Sequence, residues 1–339
     1  MKYLCLYYSA TGNTERAVEL VKRGLEAEGS HMDEVEVRKG AAAPRIEGYD
    51  RLLVAFPVLA FSPPVFVTRF LRTLPLGAGM RACVLAVDAG GGGSAAAVAA
   101  RVLRRRGYRV TVSARASYAD NWTQLVQPGD RETRVEMTRV GDAMVAGFLR
   151  ALRGGQAADN GRRSIMDAIV GFLFGVFGRR FLGKMYFADD DCNACGKCVK
   201  RCPASAIVLE KGRHARPYWK ASCEDCNACV NRCPKNAVVT SVARLAVLLA
   251  AITGFLVLGI RLYSAYLRPP FAALIPAALA TVVDVVAVTA IVGLAHVLGI
   301  GPFDAFILKY LQRVPGIRKL FAWSFMKNWR RYIAEPVEN

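Results

Sequence analysis

Histidine is nearly absent from this chain. Only His31, His214 and His296 occur in 339 residues, which argues against metal or haem chemistry built on imidazole. Acid is short as well: 27 Asp and Glu against 46 Lys and Arg leave a net charge of +19. A chain this basic points to nucleic acid or to an anionic membrane surface. No helix-turn-helix, RNA-binding or zinc-finger signature is present, and the cations flank apolar segments. A lipid bilayer is therefore expected as a partner and nucleic acid is not. The loop after the first strand-like run carries neither G-K-[ST] nor G-x-G-x-x-G, which argues against a triphosphate loop and a dinucleotide fold there. A cleavable signal peptide is not expected either, because residues 1–8 run directly into a strand-like segment.

Cysteine, in contrast, is abundant and patterned. Cys192, Cys195, Cys198 and Cys202 precede Pro203, and Cys223, Cys226, Cys229 and Cys233 precede Pro234. Both runs read C-x2-C-x2-C-x3-C-P, the bacterial iron–sulfur pattern. Two-residue gaps let three thiolates of one loop meet on one cubane, and the fourth ligates the other cluster in two-cluster proteins. The expected sets are Cys192, Cys195, Cys198 and Cys233 for cluster 1, and Cys223, Cys226, Cys229 and Cys202 for cluster 2. Zinc knuckles have a different spacing, and disulfides want an oxidising compartment and a small chain. Cys5 and Cys83 lie in apolar runs and read as core thiols. The expected cofactor load is two [4Fe–4S] clusters, with this part of the chain in the cytosol.

Residues 1–152 alternate strand-like runs (2–8, 35–38, 51–56, 82–87 and 108–114) with helical stretches ending near 28, 106 and 152. This pattern predicts a parallel, doubly wound sheet. Gly29-Ser30-His31-Met32 reads as a loop, and so does the proline-containing segment after residue 56. In such a sheet the ligand lies beyond the strand C-termini. Three loops reach that edge: 9–14, 57–62 and 88–93. Backbone N–H groups at a helix start, together with the hydroxyls of Ser9, Thr11 and Thr14, form an anion cradle.

Residues 153–188 read as a linker carrying an apolar helix, with Arg162, Arg163, Arg179, Arg180 and Lys184 at its ends. Either packing between domains or lying on anionic lipid fits it. Residues 189–240 hold the cysteine repeats. Residues 243–300 hold two apolar segments, 245–260 and 271–300, joined by the turn Arg268-Pro269-Pro270. This is a transmembrane hairpin followed by a basic tail, 301–339. The cation bias between tail and turn places both termini on the cytoplasmic face of the cell membrane. Residues 1–240 are expected to bury their own cores. Asp284 in the second segment has no charged partner in the first, so it reads either as a proton or quinone site, with His296, or as a contact between subunits.

Tyr8-Ser9-Ala10-Thr11-Gly12-Asn13-Thr14 resembles the FMN phosphate loop of flavodoxins. With Asn121-Trp122 and Pro217-Tyr218-Trp219, residues 1–240 resemble single-chain fusions of a flavodoxin with a bacterial-type two-[4Fe–4S] ferredoxin. The resemblance implies an α/β flavodoxin-like doubly wound parallel sheet, a small α+β ferredoxin domain and, as an addition, the membrane hairpin. It also implies that Ser9, Thr11, Gly12, Asn13 and Thr14 hold the phosphate of FMN, while Pro57, Val58, Gly90, Gly91 and Gly92 line its ring. The implied role is a membrane-anchored electron-transfer flavoprotein with a redox-protein or membrane acceptor. A flavin-dependent reductase of a quinone or other hydrophobic acceptor, and a subunit of a larger membrane complex or oligomer, are the alternatives.

Overall fold

The computed structural model describes residues 1–154, 158–159, 164–210, 215–274, 276–329 and 331–337. Most of the 154–163 linker, His214 and Arg330 lie outside the described residues. The first five strands are β1 (Lys2–Tyr7), β2 (His31–Glu36), β3 (Arg51–Pro57), β4 (Arg81–Asp88) and β5 (Arg109–Ser117). They pair in parallel in the order β2-β1-β3-β4-β5, and the two-residue β6 (Ala158–Asp159) adds an edge inside the expected linker. This is the flavodoxin-like order, with its ligand site at the C-terminal ends of the strands near β1 and β3. Helices α1 (Asn13–Glu26), α2 (Val65–Thr73), α3 (Ala95–Arg105) and α4 (Arg131–Gly154) cover both faces. β1, β3 and β4 are apolar along most of their length because both faces are buried, as in parallel sheets generally.

Two local expectations fail for physical reasons. His31 and Met32 open β2 rather than sitting in a loop, because Met32 drops into the core beside Leu25 and Cys5. The segment after β3 contains a helix, α2. Pro64 stands at its N-cap, where the missing N–H costs nothing, and Phe66, Val67, Phe70 and Leu71 form its buried stripe. Cys5 and Cys83 are core thiols, as expected.

Helices α5 (Ile165–Leu173) and α6 (Arg179–Met185) join end to end through a π-type stretch. The ferredoxin-like lobe has β7 (Tyr186–Ala188), α7 (Lys197–Arg201), β8 (Ile207–Leu209), β9 (Pro217–Trp219), α8 (Ala228–Asn231) and β10 (Val238–Thr240). β7 pairs with β10 and β8 with β9, both antiparallel. Its two cysteine loops repeat in backbone as in sequence. Ala194, Gly196 and Ser205 have φ of 57°, 69° and 49°, and Asp225, Asn227 and Asn236, each 31 positions on, have 57°, 58° and 50°.

Two helices are long and apolar enough to cross a membrane: Val242–Pro270, of 29 residues, and Ala277–Leu311, of 35. The first comprises α9 (Val242–Leu262), a π-type stretch and the start of α10 (Arg268–Leu274). The second comprises α11 (Ala277–Leu298), a longer π-type stretch containing Pro302, and α12 (Lys309–Leu311). Small residues let them touch. A Cβ on Gly259 would lie 2.6 Å from Ile291, and one on Gly299 2.4 Å from Ile252. Asp284 stands in the second turn of α11, where it accepts from Tyr263 Oη at 2.7 Å and pairs with Arg268 at 3.2 Å. Its charged partner is thus within the chain, at the start of α10, where residues 268–270 continue the first long helix instead of forming the expected turn.

The largest departure concerns the tail. The second long helix runs past the apolar segment into the ferredoxin-like lobe, and α13 (Pro315–Ala322) follows it. Leu248, Leu308, Phe321 and Met326 are buried in the same core as Tyr186, Trp219 and Val239. Residues 1–240 therefore do not complete their own cores. Lys184 and Arg179 do not face lipid either. Lys184 Nζ meets Asp304 Oδ2 at 2.6 Å, Tyr218 Oη at 2.7 Å and the Trp219 carbonyl at 2.8 Å. Arg244 closes this buried network from the first long helix, onto Asp304 and Gln312. Burial lowers the pKa of Lys184, and Asp304 opposes that shift.

Candidate functional site

A 460 Å³ cavity opens at the C-terminal edge of the sheet, within the range of small-molecule sites. Ser9, Thr11, Asn13, Thr14, Pro57, Val58 and Gly91 line it. Three expected residues shape it without lining it. Gly12 has φ +109° at the start of α1, and a Cβ there would lie 2.9 Å from Ala334. Gly90 donates to Asp88 Oδ1 at 2.7 Å, and a Cβ on Gly92 would strike Asp88. Asp88 also accepts from Ser117 Oγ at 2.6 Å, so the glycine loop is pinned.

The three hydroxyls divide their tasks. Ser9 Oγ accepts from the N–H groups of Gly12 and Glu15, closing the helix start. Thr11 Oγ1 accepts from Asn121 Nδ2 at 2.5 Å. Thr14 Oγ1 is buried with no partner, and so is Asn227 Oδ1 in the opposite wall. Both residues line the cavity, and among the described residues these two buried oxygens lack a hydrogen-bond partner, where buried groups of this kind are otherwise paired, so a polar ligand fits beside them. Loop 57–62 turns through Ala60 and Phe61 at φ 43° and 65°, with Leu59 bridged to Ser62. Left-handed non-glycine residues are strained, and such strain gathers at ligand clamps.

The rest of the wall comes from elsewhere in the chain. Asp225, Cys226 and Asn227 arrive from the second cysteine loop, and Phe174 and Leu182 from the π-type stretch and α6. Outside the three sheet-edge loops, Asn121-Trp122 and the second cysteine run were marked by motifs, whereas Phe174 and Leu182 were not. The second loop is fastened by Trp122 Nε1 donating to Asp225 at 3.2 Å, Val65 N to Glu224 at 2.9 Å and Arg232 Nε to the Ala10 carbonyl at 2.8 Å. Burial pushes the Asp225 carboxyl up to about 7, against hydrogen bonds from Tyr186 and Trp122. The C-terminal segment crosses the outside of the phosphate loop. Ala334 N donates to the Thr11 carbonyl at 2.8 Å, and Tyr332 Oη to Asn13 Oδ1 at 2.5 Å.

The cysteines gather as the crossed pattern requires. Cys192, Cys195, Cys198 and Cys233 line one small hollow; Cys202, Cys223, Cys226 and Cys229 line another, which Cys198 also borders. All eight are free thiols. Among the described residues no three His, Cys, Asp or Glu side chains form a site for a single metal ion. Backbone N–H groups of Ala206, Ala237 and Asp225 donate to the sulfurs of Cys202, Cys233 and Cys223 at 3.2, 3.4 and 3.4 Å. Such bonds favour thiolate and tune a cluster's potential. Burial pushes Cys198 up to about 11 and Cys226 up to about 12.

Residues 191–238 match the family described as a 4Fe-4S dicluster domain. The chain thus joins a match to a 4Fe-4S dicluster domain, over residues 191–238, to a sheet with the flavodoxin-like strand order. Among solved structures, oxidised flavodoxin 2 from Bacillus cereus is 19% identical, covering 45% of this chain and 99% of its own, with a TM-score of 0.34. Two-electron reduced Megasphaera elsdenii flavodoxin is 18% identical, over 42% and 98%, with a TM-score of 0.31. A flavodoxin from the domain Archaea is 13% identical, over 44% and 99%, with a TM-score of 0.30. The strand order, rather than these scores, carries the fold assignment. No curated protein matches the chain.

Proposed function

We propose that the protein is a membrane-anchored electron-transfer flavoprotein that exchanges electrons between FMN and two [4Fe–4S] clusters. One observation carries the reading: Cys226, in the second cysteine set, is also a wall of the sheet-edge cavity. FMN supplies the conversion between two-electron and one-electron chemistry, and the clusters carry single electrons. Thr14, Asn13 and the loop backbone would hold its phosphate; Pro57, Val58 and Gly91 would border its ring. Cys198 borders both cysteine hollows, which supports a linear order from flavin through cluster 2 to cluster 1. FMN is favoured over FAD because the cradle suits one terminal phosphate.

The two long helices would cross the bilayer as a hairpin. Val282, Val285 and Val286 expose more than half their surface, as side chains in contact with lipid would. The lobe and both hairpin ends would then lie on the cytoplasmic face. α5 turns Ile165 and Phe172 outward, 83% and 67% exposed, which favours an interfacial position.

Anaerobic purification followed by acid extraction tests the cofactors. About eight iron atoms and one FMN per chain are expected; zinc in place of iron, or FAD, would overturn the reading. Topology is tested by reporters: one fused after Asn339 should report cytosol, and one inserted at Arg268-Pro269 the opposite side.

A further inference from the structure

The surface beside the first cysteine loop is cationic, whereas the sheet-edge cavity is lined by Asp88, paired with Arg115 at 3.3 Å, by the buried Asp225 and by Asp120. The first cysteine loop, where Cys195 is the exposed thiol, is bordered by exposed cations: Lys197, Lys200 and Arg201 on α7 and Lys235 after Cys233. Among the described residues none of these four side chains has an acidic partner. The acids just before that loop have cationic partners: Asp190 pairs with Arg318 at 2.5 Å, and Asp189 and Asp191 share Lys327.

The cationic surface extends onto the flavodoxin-like domain. Arg38 Nη1 donates to the Lys200 carbonyl at 3.2 Å, and Lys39 N to the Pro203 carbonyl at 2.8 Å. At that junction lies a 250 Å³ hollow, with Lys39 and Arg69 in its walls. A convex acidic surface matches this in shape and in sign.

We propose that this face docks a small, acidic, one-electron carrier protein, which exchanges one electron with cluster 1. The inference rests on the electron-transfer reading above. In the exchange the carrier is oxidised by one electron as the cluster is reduced by one, or the reverse, with no atom transferred. Complementary charge raises encounter rates and fixes orientation, and salt screens it.

The test uses the full chain in neutral-lipid nanodiscs and a small acidic ferredoxin as probe. Binding is measured by calorimetry and electron transfer by stopped flow. Raising the salt from about 0.05 to about 0.5 M should weaken binding roughly tenfold. The double reversal Lys197→Glu with Lys235→Glu should lower the second-order rate roughly tenfold at low salt. The equal charge change Arg101→Glu with Arg104→Glu, on the exposed face of α3, should leave it unchanged. Reduction by photoreduced deazaflavin should be the same in all three proteins. Salt-independent binding, or equal rates in the two variants, overturns the docking face. So does a Lys197/Lys235 variant that loses only its binding to phosphatidylserine vesicles, which would assign the face to lipid. A protein without iron, or one that deazaflavin does not reduce, fails at the parent reading instead.

Discussion

The two cysteine loops have the same spacing and the same backbone turns, yet they do opposite work. Thirty-one positions separate their equivalent residues. Where the first loop has Asn193, Ala194 and Lys200, the second has Glu224, Asp225 and Asn231. Those three side chains accept from Val65, Trp122, Tyr186, Thr123 and Tyr332. The second loop is therefore an internal joint, buried against the sheet-edge cavity, while the first remains an exposed basic terminus. Cysteine spacing specifies a cluster; the residues between the cysteines specify what the cluster faces.

The harshest way to break this contrast is to remove what supports both loops. Ending the chain at Thr240 strips Leu248, Leu308, Phe321 and Met326 from the lobe's core. Full burial of such side chains is worth roughly 1.5–3 kcal/mol each. The truncated protein should lose iron from both loops alike, by elemental analysis, while FMN fluorescence titration still reports a folded flavodoxin-like domain. A truncated protein with full iron would show that the lobe stands alone. Asp304→Ala is the milder form, leaving Lys184 and Arg244 buried without their acid; urea unfolding should show a loss of roughly 3–5 kcal/mol.

Next in size come the ligands. Cys195→Ala and Cys226→Ala should each leave about four of eight irons. Only Cys226→Ala should also weaken FMN, because Cys226 is part of the cavity wall. Cys202→Ala should resemble Cys226→Ala in its spectrum, since the fourth ligand crosses over; resemblance to Cys195→Ala would refute the crossing.

Asp225→Ala removes the acceptor for Trp122 and Tyr186. A loss of roughly 1–3 kcal/mol is expected, and limited proteolysis should detect the loosened joint. Asn193→Ala, in the first loop, should change neither stability nor proteolysis. The finest contrast is Thr14→Ala against Thr11→Ala. Thr14, with its free hydroxyl, should lose roughly 1–3 kcal/mol of FMN affinity. Thr11, already occupied by Asn121, should lose less, and equal losses would show that Asn121 releases it when the ligand binds.

The sequence alone was enough for the parallel sheet, the loop that opens α1, the two cysteine runs and the two long apolar helices. Each of these is local: a period of hydrophobicity, a glycine before a helix, a two-residue gap between thiols. What a local pattern does not encode is which distant surfaces meet. Met32 is the anchor of β2 only because a core lies beneath it. Lys184 and Arg179 look like lipid-facing cations until Asp304, 120 positions on, and Glu224 are found beside them. The supposed free tail carries Phe321 and Met326, whose burial closes the lobe, and Tyr332, which reaches back to Asn13. The cysteine runs were legible because an iron–sulfur centre fixes its own ligand spacing; that the second run walls the sheet-edge cavity was decided only by tertiary packing, because contacts across 100 residues and more leave no period in the chain.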